Sequence, residues 1–290
     1  MKLIARLLLC AAAGFLASGS VNRLAAEPIP DDCKIGGFAL GCQAYSFNHY
    51  TVFEAIEKTA EAGGKVIEFY PGQKFSPANP VPFDHNCSDD LITQVQAQLD
   101  KYHIRAVNYG VVEIPKDEAG ARKVFEFAKK LHLYGITTES IHSLDTIEPL
   151  VKEYDIRVGI HDHPRRPNDA SYRNWDPNFV LSLVKDRDPR IGSCADIGHW
   201  VRSGLNPVEC LQILHGRIMS AHFKDETERT TNGHCVPFGT GLTGIAAVLD
   251  ELKKQNFEGN ISIEYEFDWT SNVPEIAQSV GFIRGYASQK

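Results

Sequence analysis

Acids and imidazoles recur where short apolar runs of this chain end. In Ser193-Cys194-Ala195-Asp196-Ile197-Gly198-His199-Trp200 a strand-like approach delivers an acid, then a glycine, then a histidine. A turn at Gly198 is expected to bring His199 back to the polar pocket that Asp196 faces. The same position in the other runs is held by Tyr45, by Glu68, by Asn108, by Glu139, by His161 with His163, by His222 with Lys224, and by Glu264 with Glu266. Any one of them alone reads as a solvated turn residue. Together, at one end of their strands, they describe a single pocket able to bind polar groups and move protons. Asp196, His222 and Glu264 combine oxygen and nitrogen donors of the kind that suits Mn²⁺, Mg²⁺, Co²⁺ or Zn²⁺. A divalent cation also accounts for the gathering of acids, which would otherwise repel one another and rise in pKa. His161 and His163 are two apart and share one strand face, which leaves Asp162 pointing away; Glu264 and Glu266 are paired in the same way.

Elements must exist to position these groups, and the periodicity supplies them. Strands are expected over 37–45, 65–70, 104–108, 135–139, 156–161, 190–196, 218–223 and 260–265. Helices are expected over 52–62, 89–103 with Ser88 as N-cap, 117–133, 143–154, 177–185, 207–214, 244–254 and 273–286. Strand and helix alternate at a spacing of roughly 25 to 35 residues with no linker between units, which is the arithmetic of an α/β fold built as a single (β/α)8 TIM barrel. An open dinucleotide-binding sheet would carry a glycine-rich turn after its first strand, and Cys42-Gln43-Ala44-Tyr45 is unlike one. In a barrel the active face lies at the strand ends that feed the βα loops, the end where the polar residues fall.

Bulk properties narrow the function further. The chain has 290 residues, is 43% hydrophobic and carries a formal charge of -7. Its lysines and arginines are scattered, so no basic stripe tracks a phosphate backbone and nucleic acid is not an expected partner. Lys2 and Arg6, followed by an apolar run from Leu7 to Ala17 and then by small and polar residues, read as a secretory signal peptide over residues 1–26. That run is too short to span a bilayer. Residues 27–290 are then one domain, delivered to a periplasm or the outside with no membrane span after signal removal. Export permits disulfides among Cys33, Cys42, Cys87, Cys194, Cys210 and Cys235; no spacing assigns a pair, one or two bridges through Cys33 or Cys87 are compatible, and Cys42 and Cys194 fit buried strand positions.

Four segments in order then carry a resemblance. Asp196-Ile197-Gly198-His199 resembles a D-x-G-H segment, His222-Phe223-Lys224-Asp225 an H-x-K-D segment, Gly239-Thr240-Gly241 a G-x-G loop, and Glu264 the final acid of the xylose isomerase-like barrels of sugar phosphate isomerase/epimerase type. The resemblance covers essentially the mature chain. It implies a divalent metal held by one group from each of strands five to eight, with Asp196, His222 and Glu264 as the last three ligands. The strand-five place reads His161 where many members have glutamate. His161 and Glu139 are therefore alternative fourth ligands. The implied chemistry on a small carbohydrate is proton removal beside a metal-polarised carbonyl to give a metal-stabilised enediolate, returned as an isomer or epimer. Glu264 or Glu139 is expected as base, with His163, His199 or Lys224 donating protons or stabilising oxyanions. Tyr45 and Trp200 are expected to stack on the sugar, and Glu68 and Asn108 to reach its hydroxyls. A lyase or dehydratase acting on a keto-sugar or keto-glycoside in the same pocket, and a barrel that binds sugar without converting it, are the competing expectations.

Overall fold

The computed structural model describes residues 28–288, so the expected signal peptide lies outside the described residues. Eight parallel strands form the inner wall: β1 (Phe38–Gln43), β2 (Val66–Phe69), β3 (Arg105–Tyr109), β4 (Gly135–Thr138), β5 (Arg157–His161), β6 (Ile191–Asp196), β7 (Ile218–Phe223) and β8 (Asn260–Ile263). Each pairs with the next, and β8 pairs with β1 through Ile261 and Leu40, closing the barrel. Strands buried on both faces read as largely apolar runs rather than alternating ones, which is why these segments stood out in the sequence.

Nine helices are described: α1 (Val52–Glu61), α2 (Asp89–Tyr102), α3 (Glu118–Lys130), α4 (Leu144–Tyr154), α5 (Pro177–Val184), α6 (Ile197–Arg202), α7 (Pro207–Ile213), α8 (Ile245–Lys254) and α9 (Val273–Ser288). Their starts follow from local chemistry. Thr51 accepts the Glu54 N–H at 3.3 Å while the Glu54 carboxylate accepts the Thr51 N–H at 2.8 Å, a reciprocal cap on α1. Ser88 caps α2 and Asp117 caps α3. Asp176 and Asn206 cap α5 and α7, each followed by proline at the first helical position. The N-terminal segment crosses the bottom of the barrel, where Ile29 packs with Ala39, Val66, Val107 and Tyr134.

Three features depart from the sequence expectation. The turn at Gly198 is instead the first turn of α6, with Asp196 as its N-cap accepting the His199 N–H at 2.8 Å. Glycine is needed there because α6 rides close over β7: a Cβ on Gly198 would lie 2.4 Å from the Cβ of Lys224. The long β2–α2 connection folds a two-stranded hairpin, Gln73–Lys74 against Pro82–Phe83, and the β7–α8 connection another, Asp225–Glu226 against Cys235–Val236. All six cysteines among the described residues are free thiols, so the bridges through Cys33 or Cys87 are not formed.

Candidate metal centre and active site

The C-terminal strand ends converge as the barrel geometry requires. His161 from β5, Asp196 from β6, His222 from β7 and Glu264 just past β8 each present one donor atom, all within 4.8 Å of one another and all buried. The imidazoles are aimed by carboxylates behind them. Glu139 Oε1 lies 3.3 Å from His161 Nδ1, and Glu68 Oε2 lies 3.0 Å from His222 Nε2. Holding the far nitrogen of each ring leaves His161 Nε2 and His222 Nδ1 turned toward the centre, the arrangement by which outer carboxylates orient metal-bound histidines. Both of these nitrogens are buried without a hydrogen-bond partner, and His222 Nε2 meets Glu68 as a close contact rather than an aligned hydrogen bond. Two orphaned nitrogens beside two carboxylates form a donor set that fits a first-row divalent ion.

Lys224 is the unexpected member. It is 1% exposed, and its ammonium bonds Asp196 Oδ2 at 2.5 Å and also Glu264 Oε2. It therefore lies under the pocket and neutralises ligands, rather than facing a substrate oxyanion. Burial alone would raise the Asp196 and Glu264 carboxyls, but His199 and Lys224 hold Asp196 well below the ordinary range, and Lys224 and His222 do the same for Glu264. His161 is raised to about 10: burial disfavours its charge, and Asp196 and Glu139 outweigh burial. His199 goes the other way, pushed well down by burial against the opposing pull of Asp196.

Above this centre lies a pocket of about 290 Å³. Glu264 and Glu266 line its β8 side, and His161, His163 and His199 the side of β5 and β6. His163 Nδ1 is 2.5 Å from Glu139 Oε1, and its ring stacks on His199 with centroids 5.2 Å apart. With Nδ1 engaged, Nε2 is the position where the ring can take up or release a proton. Burial opposes the charge of Glu139, yet its bonds to His161 and His163 hold it below the usual carboxylate range. Glu266 is held by Arg202, whose NH1 lies 3.4 Å from its Oε2 and whose Nε lies 3.0 Å from Glu226 Oε2. Larger clefts of about 420 and 570 Å³ open at the opposite end of the barrel, and neither gathers a set of metal-ligating side chains among the described residues.

Several expected substrate contacts are corrected by burial. Trp200 is 1% exposed on α6 and packs in the core, because that segment is helix rather than turn. Glu68 is fully buried and serves His222, Thr137 and Ser262, not the pocket. Asn108 is 1% exposed, donating to Thr137 Oγ1 at 3.1 Å and accepting the Tyr109 N–H at 2.9 Å. Each of the two is the next-to-last residue of its strand, and it is Tyr70, just past the end of β2, that reaches the pocket. Tyr45 does line the pocket, from a 3-10 turn over Ala44–Phe47. His161 stands at the strand-five place among the four donors, while Glu139 stands behind it.

Other participants gave no sequence signal. Tyr172, from the connection after β5, donates to Glu139 at 2.9 Å and accepts the His163 N–H at 2.6 Å. Only the length of that connection hinted at a role. Asp162 does turn away from the pocket face, but not to solvent: it accepts the Asp196 N–H at 3.0 Å and so fixes the end of β6. The G-x-G loop is explained by its neighbour in the H-x-K-D segment. Asp225 accepts the N–H groups of Gly239 at 2.8 Å and of Gly241 at 3.0 Å, and a Cβ on Gly241 would lie 2.4 Å from its Oδ1.

Comparison with known proteins agrees with this architecture. A solved structure of an uncharacterised protein from Parabacteroides distasonis is 33% identical, with a TM-score of 0.67, covering 85% of this chain and 98% of that one. The structure of a D-tagatose 3-epimerase-like protein is 19% identical with a TM-score of 0.67, covering 86% and 97%, a likeness of fold. A 3-oxo-isoapionate decarboxylase from Pectobacterium atrosepticum is 22% identical over 274 residues, covering 82% of this chain and 89% of that protein. Residues 136–286, from β4 to the last helix, match the xylose isomerase-like TIM barrel model, and the chain belongs to that family.

Proposed function

We propose that the protein is an exported, divalent-metal-dependent isomerase or epimerase of a small carbohydrate, working by proton transfer beside a carbonyl. The observation that carries this reading is the set of His161 Nε2, Asp196, His222 Nδ1 and Glu264 donors within 4.8 Å under a polar pocket. A divalent ion held there supplies Lewis-acid polarisation of a substrate carbonyl and stabilises the charge that develops when the neighbouring C–H is lost. The chain's own part is proton handling from two sides. Glu264 and Glu266 offer carboxylates on the β8 side, and His163 offers Nε2 on the other with its ring fixed by Glu139. One side takes the proton from carbon and the other returns it. His199, stacked on His163, keeps that ring in place.

A keto-sugar lyase or decarboxylase is the second reading. It is favoured by the decarboxylase relative, and by the fact that carboxylates line only one wall while imidazoles line the other. Incubating the Mn²⁺-loaded protein with free ketoses, with 3-keto-glycosides and with a 3-oxo sugar acid, which carries the carboxylate a decarboxylase must expel as CO₂, in D₂O separates the two. Deuterium at carbon in an unchanged or isomerised sugar supports the isomerase; an unsaturated or shortened product supports the lyase or decarboxylase. No turnover and no exchange of any of them would sink both and leave a sugar-binding barrel. The export component rests on Lys2, Arg6 and the Leu7–Ala17 run, and N-terminal sequencing of the secreted protein tests it.

A further inference from the structure

Three aromatic rings stand together at one side of the pocket mouth, in an arrangement the metal centre does not require. Tyr45 lines the pocket and is 39% exposed. It meets Tyr70 edge-on with centroids 5.2 Å apart and Trp269 edge-on at 5.8 Å. His49 lies beyond Trp269 at 6.2 Å, its plane tilted by 31°. The rings come from the connections after β1, β2 and β8, which are far apart in sequence.

These rings are held in place. The Gln43 side chain accepts the Tyr45 N–H at 2.8 Å and donates to Gly110 O at 2.6 Å. Ser46 donates its hydroxyl to Ile263 O at 3.0 Å and accepts the Tyr265 N–H at 2.9 Å. Asn272 donates to Ser46 O, and the Tyr50 hydroxyl donates to Thr270 O, each at 2.7 Å. The segment that carries Trp269 is thus tied at both ends to the turn that carries Tyr45. A single exposed aromatic needs no explanation, but a fixed cluster continuous with a catalytic pocket marks a surface built to bind.

We propose that this rim is a second sugar subsite, so that the substrate carries a glycosyl unit beyond the ring seated over the metal centre. The proposal rests on the carbohydrate reading above and narrows it from a free monosaccharide to a glycoside. A pyranose presents an apolar C–H face edged by hydroxyls. Tyr45 and Trp269 offer apolar ring surface with a polar tip, and Glu266 in the same pocket accepts hydrogen bonds from hydroxyls. A rigid platform of this kind adds affinity because little ordering is left to be done on binding.

The test is calorimetric titration of the full chain, with and without Mn²⁺, against D-glucose, D-fructose, cellobiose, maltose, sucrose and phenyl β-D-glucoside. At least one disaccharide is expected to bind about tenfold more tightly than the monosaccharides, a difference of the size that aromatic contacts supply. Trp269→Ala should erase that difference while leaving monosaccharide and Mn²⁺ affinities within about twofold. Trp269→Leu, which keeps apolar bulk against Tyr45, should do the same and separates lost stacking from a collapsed loop. No disaccharide preference, or equal weakening of monosaccharide and disaccharide in both variants, would overturn the subsite. Tighter binding of the phenyl glucoside than of every disaccharide would replace the sugar by an aryl group and overturn it as well. Failure of the metal reading would appear separately, as absent Mn²⁺ binding in the same titrations, with the sugar preference still readable in the metal-free protein.

Discussion

Replacing Lys224 by methionine removes the one ammonium from a cluster in which it is bonded to both Asp196 and Glu264. Both carboxylates are then left buried with only the neighbouring imidazoles to offset them in metal-free protein. Taking away one partner of a buried ion pair costs about 3–5 kcal/mol. For a domain of this size each kcal/mol is about 2–4 °C in Tm, so the metal-free variant should melt roughly 6–20 °C below wild type. A divalent ion reverses the balance, since an ammonium and a metal ion repel when they share the same two carboxylates. Lys224→Met should therefore bind Mn²⁺ more tightly than wild type. At a hundredfold excess over Kd, Mn²⁺ returns about 2.7 kcal/mol of stability, so its deficit relative to wild type should shrink in Mn²⁺. Differential scanning calorimetry in EDTA and in Mn²⁺, with a parallel metal titration, reads both effects. Equal loss of Tm in the two buffers, or weaker Mn²⁺ binding by the variant, would refute the reasoning that Lys224 and a cation compete for one place.

Two further outcomes follow from contacts away from the pocket. Glu68→Gln keeps the shape beside His222 but removes the carboxylate that holds its Nε2, and should weaken Mn²⁺ binding about 10- to 100-fold in a metal titration; unchanged affinity would mean that Glu68 does not orient the ring. Gly198→Ala brings a methyl group to 2.4 Å from the Lys224 Cβ and should destabilise the protein by about 1–3 kcal/mol in urea melts, and a neutral result would contradict the close packing of α6 on β7.

The barrel was legible because its strands are buried on both faces and its helices carry caps. Runs such as Phe38–Gln43 and Ile191–Asp196 are buried throughout and largely apolar until near their ends, and Ser88 lies where a helix start would be sought. Short elements were not legible. Helix α6 has six residues, and Asp196 as N-cap reads in sequence as a turn residue. That one difference moved Trp200 from the pocket to the core. The site was legible in part, since strand-end positions could be enumerated but their height in the barrel could not. Glu68 and Asn108 each fall one residue before the end of their strands, where Asp196 is the last of its own, and they bond to neighbouring strands. Lys224 was found by position, but its bonding to two carboxylates depends on three strands at once. Tyr172 reaches Glu139 from a connection with no periodicity at all, so nothing in the sequence could have aimed it there.

The central claim is that His161, Asp196, His222 and Glu264 together hold one divalent cation. Its most direct test is metal analysis of the purified protein, followed by Mn²⁺ titration of the stripped form and of His222→Ala. The account predicts one ion per chain, a rise in Tm on adding Mn²⁺, and loss of both in His222→Ala. A protein that carries no divalent ion and gains no stability from Mn²⁺, or a His222→Ala variant with wild-type metal content, would contradict it.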